Sequence, residues 1–466
     1  MAIVDPSVIL RLGSHAEKEY FEKVISFVDG YIVAANLVES TPTASASLVF
    51  RFSSRKRSIP YYLDPMTYAF GAYTDPQIRR VRSDLDWIKS DQKNGRYFKR
   101  SYKALGEILG KPFEDAISDP KNKKAAILPE DFSDDSVIHN VCESVTNYQL
   151  TRVRSIFQEV PEVKHFADSI PLPASVFAPY FYVEPSGERD WFDLNLRLMR
   201  ATTGMNLPIP VHGILCMDES VLLRDDFLGY IINELPKTKI TAVWLWFSKF
   251  NEDELIRADI DIVKTRSYTK LMALRNLTEK LSRSMEVFNM HGGFFSLALS
   301  KCGMKGISHG VGYGGQKDVV PVIGQGIPVV RYYLPELHRH LSVPDIERCF
   351  NSLNISEPKD FHEKICNCAI CKGVVNTDVA QFRLFGEIQP PKPGKQRGTQ
   401  TPAAAKRCRF HFLLSRIRER DLVKENTISH IARDLDEANQ KWNSQLSIQR
   451  YCPHLEVWKE VLGAEL

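Results

Sequence analysis

Runs of β-branched and aromatic residues recur along the chain, separated by stretches long enough to form helices. They predict strands near Gly30–Leu37, Ile59–Leu63, Val176–Val183, Ile209–Cys216, Ile240–Phe247, Met285–Asn289, Gly306–Val311 and Ile327–Tyr333. Several have no polar face. Thr241-Ala242-Val243-Trp244-Leu245-Trp246-Phe247 is apolar on both sides, as in a strand buried within a parallel sheet. Helical periodicity fills the intervals, for example over Phe227–Leu235 and Tyr268–Leu281. Strands alternating with helices in this way predict an α/β fold, a (β/α)8 TIM-type barrel over residues 1–345. An open doubly wound sheet is the alternative, but no G-x-G-x-x-G follows the first predicted strand.

Two excursions interrupt this rhythm. Residues 83–164 are charged and helical in pattern. Residues 389–405, beginning Gln389-Pro390-Pro391-Lys392-Pro393-Gly394, read as a mobile loop. That loop falls inside a C-terminal domain, 346–466, of helical character. There Ile428, Ile431, Leu435, Ala438 and Trp442 form one apolar stripe, with Asn426 or Thr427 as its cap.

Composition narrows the class. The 466 residues are 43% hydrophobic, and the longest apolar runs fall well short of the roughly 20 residues that span a bilayer. Nine cysteines, an odd number, argue against a secreted disulfide framework. The start, Met1-Ala2-Ile3-Val4-Asp5-Pro6, has neither a basic segment nor an apolar core, so no signal peptide is expected. A soluble cytoplasmic protein with no membrane association follows. Net charge is only +4, but the positive residues cluster. Arg51, Arg55, Lys56 and Arg57 form one group and Arg79, Arg80 and Arg82 another. Lys89, Lys93, Arg96, Lys99, Arg100 and Lys103 interleave with Trp87, Tyr97, Phe98 and Tyr102, and a fourth group runs from Lys392 to Arg420. Bases beside aromatics suit a nucleic-acid partner; solvated helix faces are the ordinary alternative.

The densest chemistry is Cys366-Asn367-Cys368-Ala369-Ile370-Cys371. Three thiolates and one histidine make a closed tetrahedral set for one structural zinc ion per chain, and His411 and His430 are both candidates for the fourth ligand. A second set of polar residues falls where a barrel collects its active site, at the carboxyl ends of strands. Asp64 and Glu184 follow predicted strands, His212, Cys216 and Asp218 ride on or after the fourth, Trp246 ends the fifth, His291 follows the sixth and His309 lies on the seventh. The run His309-Gly310-Val311-Gly312-Tyr313-Gly314-Gly315 lets backbone approach a ligand closely, but has no P-loop lysine.

Together these pieces resemble the tRNA-guanine transglycosylases, including relatives that insert deazaguanines into DNA. That family joins a (β/α)8 barrel to a C-terminal zinc subdomain with a C-x-C-x-x-C motif and a distant histidine. Phe410-His411-Phe412-Leu413-Leu414 resembles the helix that precedes the zinc histidine, so the resemblance assigns His430 as ligand beside Cys366, Cys368 and Cys371. Ile59-Pro60-Tyr61-Tyr62-Leu63-Asp64 with Tyr68 resembles the strand bearing the catalytic aspartate, which implies an acid/base role for Asp64. The family's Ser-Gly-Gly stands here as Pro65-Met66-Thr67, and its base-binding glutamine as Leu215 or Cys216. Ser308-His309-Gly310 occupies the place of the nucleophilic aspartate, which leaves His309 as the catalytic candidate there. Tyr68, Glu184, Cys216, Trp246, His291 and Tyr313 would line the base site. The implied activity is exchange of a guanine-type base for a modified purine-type base such as a 7-deazaguanine, in tRNA or DNA. The family's oligomers imply a homo- or hetero-oligomer. Two other readings are a catalytically degenerate or partner-dependent nucleic-acid-binding subunit, and a hydrolase holding a second metal on Asp64, His212, His291 and His309.

Overall fold

The computed structural model describes residues 6–54, 58–71, 100–118, 126–185, 187–253, 260–311, 318–319, 329–391 and 398–463. Eight parallel strands form one sheet: β1 (Ser7–Leu12), β2 (Gly30–Ala34), β3 (Tyr61–Asp64), β4 (Val176–Phe177), β5 (Val211–Asp218), β6 (Ala242–Ser248), β7 (Glu286–Asn289) and β8 (Met304–His309). Their order is β3-β2-β1-β8-β7-β6-β5-β4. The ends of that order approach each other, since the amide of Ala174, just before β4, donates to the Tyr61 carbonyl on β3 at 2.8 Å. The result is a nearly closed parallel barrel.

This corrects the sequence reading at both ends of the strand list. Ser7–Leu12 was not anticipated, because Arg11 interrupts its apolar run, yet it sits centrally between β2 and β8. The strand expected at 327–333 lies outside the barrel: Tyr332–Leu334 (β9) pairs antiparallel with Arg339–Leu341 (β10). Each remaining barrel strand begins and ends within a few residues of expectation, except β4. There only Val176–Phe177 is regular, with an isolated bridge from Val183 to Met217.

Alternation along the strands fixes what faces the barrel axis. Tyr62, Phe177, His212, Trp244 and Phe288, from β3 to β7, meet one another across the interior, with Trp244 and Phe288 stacked at 4.4 Å. Contacts between non-adjacent strands, such as Tyr62 with Trp244, are possible only through the lumen. His212 belongs to this filling. Its Nδ1 accepts from Ser175 Oγ (2.9 Å) and Trp244 Nε1 (3.2 Å), and burial lowers its pKa to about 3.

Within the expected insertion the described residues form the helices Arg100–Leu109, Phe113–Ser118 and Asp135–Glu159. The C-terminal residues form the helices Ala369–Val374, Pro402–Glu425, Ile428–Asn443 and Pro453–Gly463. Of the loop expected at 389–405, residues 392–397 lie outside the described residues. Ile388–Gln389 pairs with Thr399–Gln400, and the next helix starts at Pro402 behind the Thr401 cap.

Barrel closure at β1–β8 depends on glycine. A Cβ on Gly306 would stand 2.6 Å from the Ser7 carbonyl oxygen, and backbone cannot step aside. Gly306→Val is expected to destabilise the protein by about 1–3 kcal/mol, the usual cost of overpacking, measured by chemical denaturation.

Candidate functional site

The carboxyl ends of β1, β3, β6 and β7 meet around one ion pair. Arg11 Nη2 lies 2.7 Å from Asp64 Oδ2, and both side chains are almost wholly buried. Asp64 Oδ1 accepts from the Tyr180 hydroxyl (2.8 Å) and the Met66 amide (3.0 Å). Tyr180 is itself fixed by Thr67, whose Oγ1 donates to the Tyr180 carbonyl at 2.7 Å and accepts from its amide at 2.8 Å. Burial, then the adjacent Asp64 charge, pushes the Tyr180 phenol well above its ordinary pKa. It therefore remains a donor.

Aromatic rings wall the pair. Tyr68 stacks on Tyr180 at 5.6 Å and meets Trp246 edge-on at 5.0 Å, and the His291 ring lies 4.9 Å from Trp246. The Arg11 guanidinium is 5.7 Å from the Trp246 ring centre, within cation–π range. Cys216 is wholly buried opposite Trp246 in the β5–β6 register. Met66 adopts the left-handed conformation, with φ 57° and ψ 28°. That conformation costs a non-glycine residue about 1–2 kcal/mol.

The structure thus brings together Asp64, Tyr68, Cys216, Trp246 and His291. Glu184 is fully buried beyond the end of β4, beside Gly187 and Trp191. Tyr313 lies outside the described residues. His309 does not join the cluster. Its register partner is Leu10, whereas Ser308 pairs with Ile9, so Ser308 shares the inner face with Arg11 and His309 points outward. The His309 ring meets Phe412 of helix Pro402–Glu425 at 5.1 Å, and its Nδ1 lies 2.7 Å from the Gly310 carbonyl. Burial, reinforced by the Arg416 charge, lowers its pKa to about 3. A strand's two-residue period places it on the wrong face for chemistry at the mouth. Arg11, Tyr180 and Met66 were not anticipated. The available signal was a lone arginine within Val8-Ile9-Leu10-Arg11-Leu12, where a charge is costly unless paired.

The second centre is in the C-terminal region. Cys366, Cys368, Cys371 and His411 are all buried, with their donor atoms within 4.8 Å of one another. His411 Nδ1 lies 3.7, 3.4 and 3.4 Å from the sulfurs of Cys366, Cys368 and Cys371. A tetrahedral ion with metal–sulfur bonds of about 2.3 Å and metal–nitrogen bonds of about 2.0–2.1 Å requires such edges to be about 3.5 Å. The donor set fits a metal. His411 Nε2 lies 2.6 Å from the Tyr333 carbonyl, which fixes Nε2 as the protonated nitrogen and frees Nδ1 for coordination. Tyr332 stacks on His411 at 4.1 Å, and its hydroxyl lies 3.1 Å from Cys371 Sγ.

His430, the expected ligand, is not at this centre. It is exposed, with Nδ1 3.0 Å from the hydroxyl of Thr427, the cap of helix Ile428–Asn443. No second grouping of metal-type donors occurs among the described residues, and Asp64, His212, His291 and His309 do not form one.

Of the basic clusters, residues 72–99 lie outside the described residues. Much of the group on helix Pro402–Glu425 ties that helix to its neighbours: Lys406 pairs with Glu19, Arg409 lies over Tyr20, and Arg420 binds Asp29 at 3.1 Å. No helix of the described residues is long and apolar enough to cross a membrane. No protein-family model matches the chain, and no curated protein does.

Two tests follow from this geometry. Asp64→Asn leaves the Arg11 charge buried and unpaired, so it is expected to cost about 3–5 kcal/mol in denaturation. Removing both charges with Arg11→Met and Asp64→Asn together should recover much of that loss. His411→Ala is expected to abolish stoichiometric metal in purified protein by elemental analysis, whereas His430→Ala should retain it.

Proposed function

We propose that the protein is a base-exchange glycosyltransferase acting on a nucleic acid, with one structural zinc ion. The reading rests on Asp64, a carboxylate at the carboxyl end of a barrel strand, walled by aromatic rings of the kind on which a planar base stacks. The C-x-C-x-x-C motif and its resemblance to the transglycosylases supply the reaction class. Three buried thiols with an imidazole favour zinc, since soft ligands in a closed tetrahedral set leave no open position for water. Zinc here would hold the C-terminal helices together, with Cys366, Cys368, Cys371 and His411 as ligands.

In this reading Asp64 transfers the proton between the leaving and incoming base, held in place by Tyr180 and the Met66 amide. Exchange with retention divides its work between two carboxylates. Asp218, whose Oδ2 accepts from Tyr182 at 3.0 Å, and Glu184 are the buried acids on adjoining strand ends. Either would supply the second.

A partner-dependent or catalytically degenerate nucleic-acid-binding subunit is the second reading. Two observations favour it: Arg11 already neutralises Asp64, and His309 faces away from the mouth.

The deciding experiment incubates the protein with tRNA or duplex DNA and labelled guanine or 7-deazaguanine. Incorporation into one polymer is expected. Asp64→Glu keeps the charge opposite Arg11 but moves the carboxylate by a methylene, and should reduce incorporation about a hundredfold. Binding of either polymer without incorporation would favour the subunit reading instead.

A further inference from the structure

The chemistry-bearing layer at the carboxyl ends of the strands is closed. Asp64, Tyr180 and Trp246 are wholly buried, and Arg11, Met66 and Tyr68 nearly so. A carboxylate that moves a proton to or from a substrate has to come within hydrogen-bond reach of it. Some contact in this layer therefore gives way, and Met66 has the least holding it.

Met66 touches both members of the buried pair. Its sulfur lies 3.3 Å from Arg11 Nη2, and its amide donates to Asp64 Oδ1 at 3.0 Å. The sulfur contact is weak, because a thioether is a poor acceptor for a buried cation. The amide contact is made from strained backbone, at φ 57° and ψ 28°. Left-handed backbone is ordinary at the C-terminal end of a helical turn, where Lys239 and His338 adopt it. Met66 instead precedes the turn Thr67–Phe70, a place where extended backbone is the rule. Its conformation thus serves Arg11 and Asp64 rather than the turn.

The neighbours of Met66 are stiffer. Pro65 has a fixed φ, and Thr67 is clamped to Tyr180 by two hydrogen bonds. Met290, the other sulfur on Arg11, also accepts from the Ser308 hydroxyl at 3.3 Å. The Met66 side chain is unbranched and swings about three rotatable bonds.

We infer that Met66 is a built-in stopper, which holds the mouth closed over Arg11 and Asp64 and opens it on leaving the left-handed conformation. That one change withdraws the sulfur from Arg11 and the amide from Asp64 together. The ion pair and the Tyr180 bond stay in place. The device rests on Asp64 being the working carboxylate of the proposed exchange.

Hydroxyl-radical footprinting of the whole chain tests it, read on two tryptophans of β6. Trp246 lies at the mouth beside Arg11, and Trp244 is one layer deeper in the lumen; both are wholly buried. In the unaltered protein both rings should be protected. Met66→Gly removes the side chain, and glycine adopts left-handed backbone freely. It should raise oxidation of Trp246 severalfold while Trp244 stays protected. Should Trp244 rise as well, the variant has unfolded, and Met66→Asn makes the same comparison, since asparagine also suits that backbone and carries no sulfur. Trp246 as protected as Trp244 in a folded variant, or already as reactive in the unaltered protein, would overturn the inference. Polymer incorporation is read separately. Exposure of Trp246 without incorporation leaves the stopper standing and removes the exchange reading; incorporation with Trp246 protected in the variants does the reverse.

Discussion

A charge pair buried on the axis of a parallel barrel is the constraint around which the mouth is arranged. Arg11 comes from β1 and Asp64 from β3, two strands apart, so their 2.7 Å contact draws the two strand ends together over the lumen. Neither charge tolerates apolar surroundings alone. Everything adjoining them follows from that. Tyr180 turns its hydroxyl inward to bond Asp64, Thr67 holds Tyr180, and the Met66 amide completes the carboxylate at the expense of a left-handed backbone. Below this layer the described lumen is filled largely by aromatic rings, with His212 hydrogen-bonded among them.

The metal-type centre is joined to the barrel through two adjacent tyrosines on β9. Tyr332 faces Cys371 and His411, while the Tyr333 carbonyl accepts from His411. The Tyr333 hydroxyl, pointing the other way as strand alternation requires, donates to Glu419 at 2.5 Å. Glu419 also binds Arg416 at 2.7 Å and His338 at 2.6 Å, and His338 stacks on Phe294 just after β7. One short strand thus fixes both the ligand tautomer and the seating of helix Pro402–Glu425 against the barrel. His309 is absorbed into that seating through Phe412, which explains why a histidine at the end of β8 does not reach the mouth.

The alternation of apolar runs with helical intervals made most of the barrel legible, because parallel strands buried on both faces leave a strong signal. It failed at β1, where the buried Arg11 charge broke the apolar run, and at β9, where a short antiparallel pair has the same composition as a barrel strand. The three thiols were legible from spacing alone. The fourth donor was not, since the spacing carried over from the resembled family pointed to His430 rather than His411. Local chemistry carried better information. His411 is flanked by Phe410 and Phe412 inside a helix, as buried ligands are, whereas Thr427 and His430 have the spacing of a helix cap and its third residue.

Stability alone does not account for the Arg11–Asp64 pair. Well-packed apolar residues of similar volume commonly serve a barrel interior as well as a buried ion pair does, or better. The Met66 backbone adds a further cost, and glycine would have relieved it. A molecule selected only to keep its barrel closed has no reason to retain both. Their coincidence at the carboxyl ends of the strands, beside two thioethers and two aromatic rings, marks the part of the described barrel that packing alone explains least. Asp64 is meanwhile held from three directions, by Arg11, Tyr180 and the Met66 amide, so its carboxylate cannot rotate without leaving a buried donor unpaired.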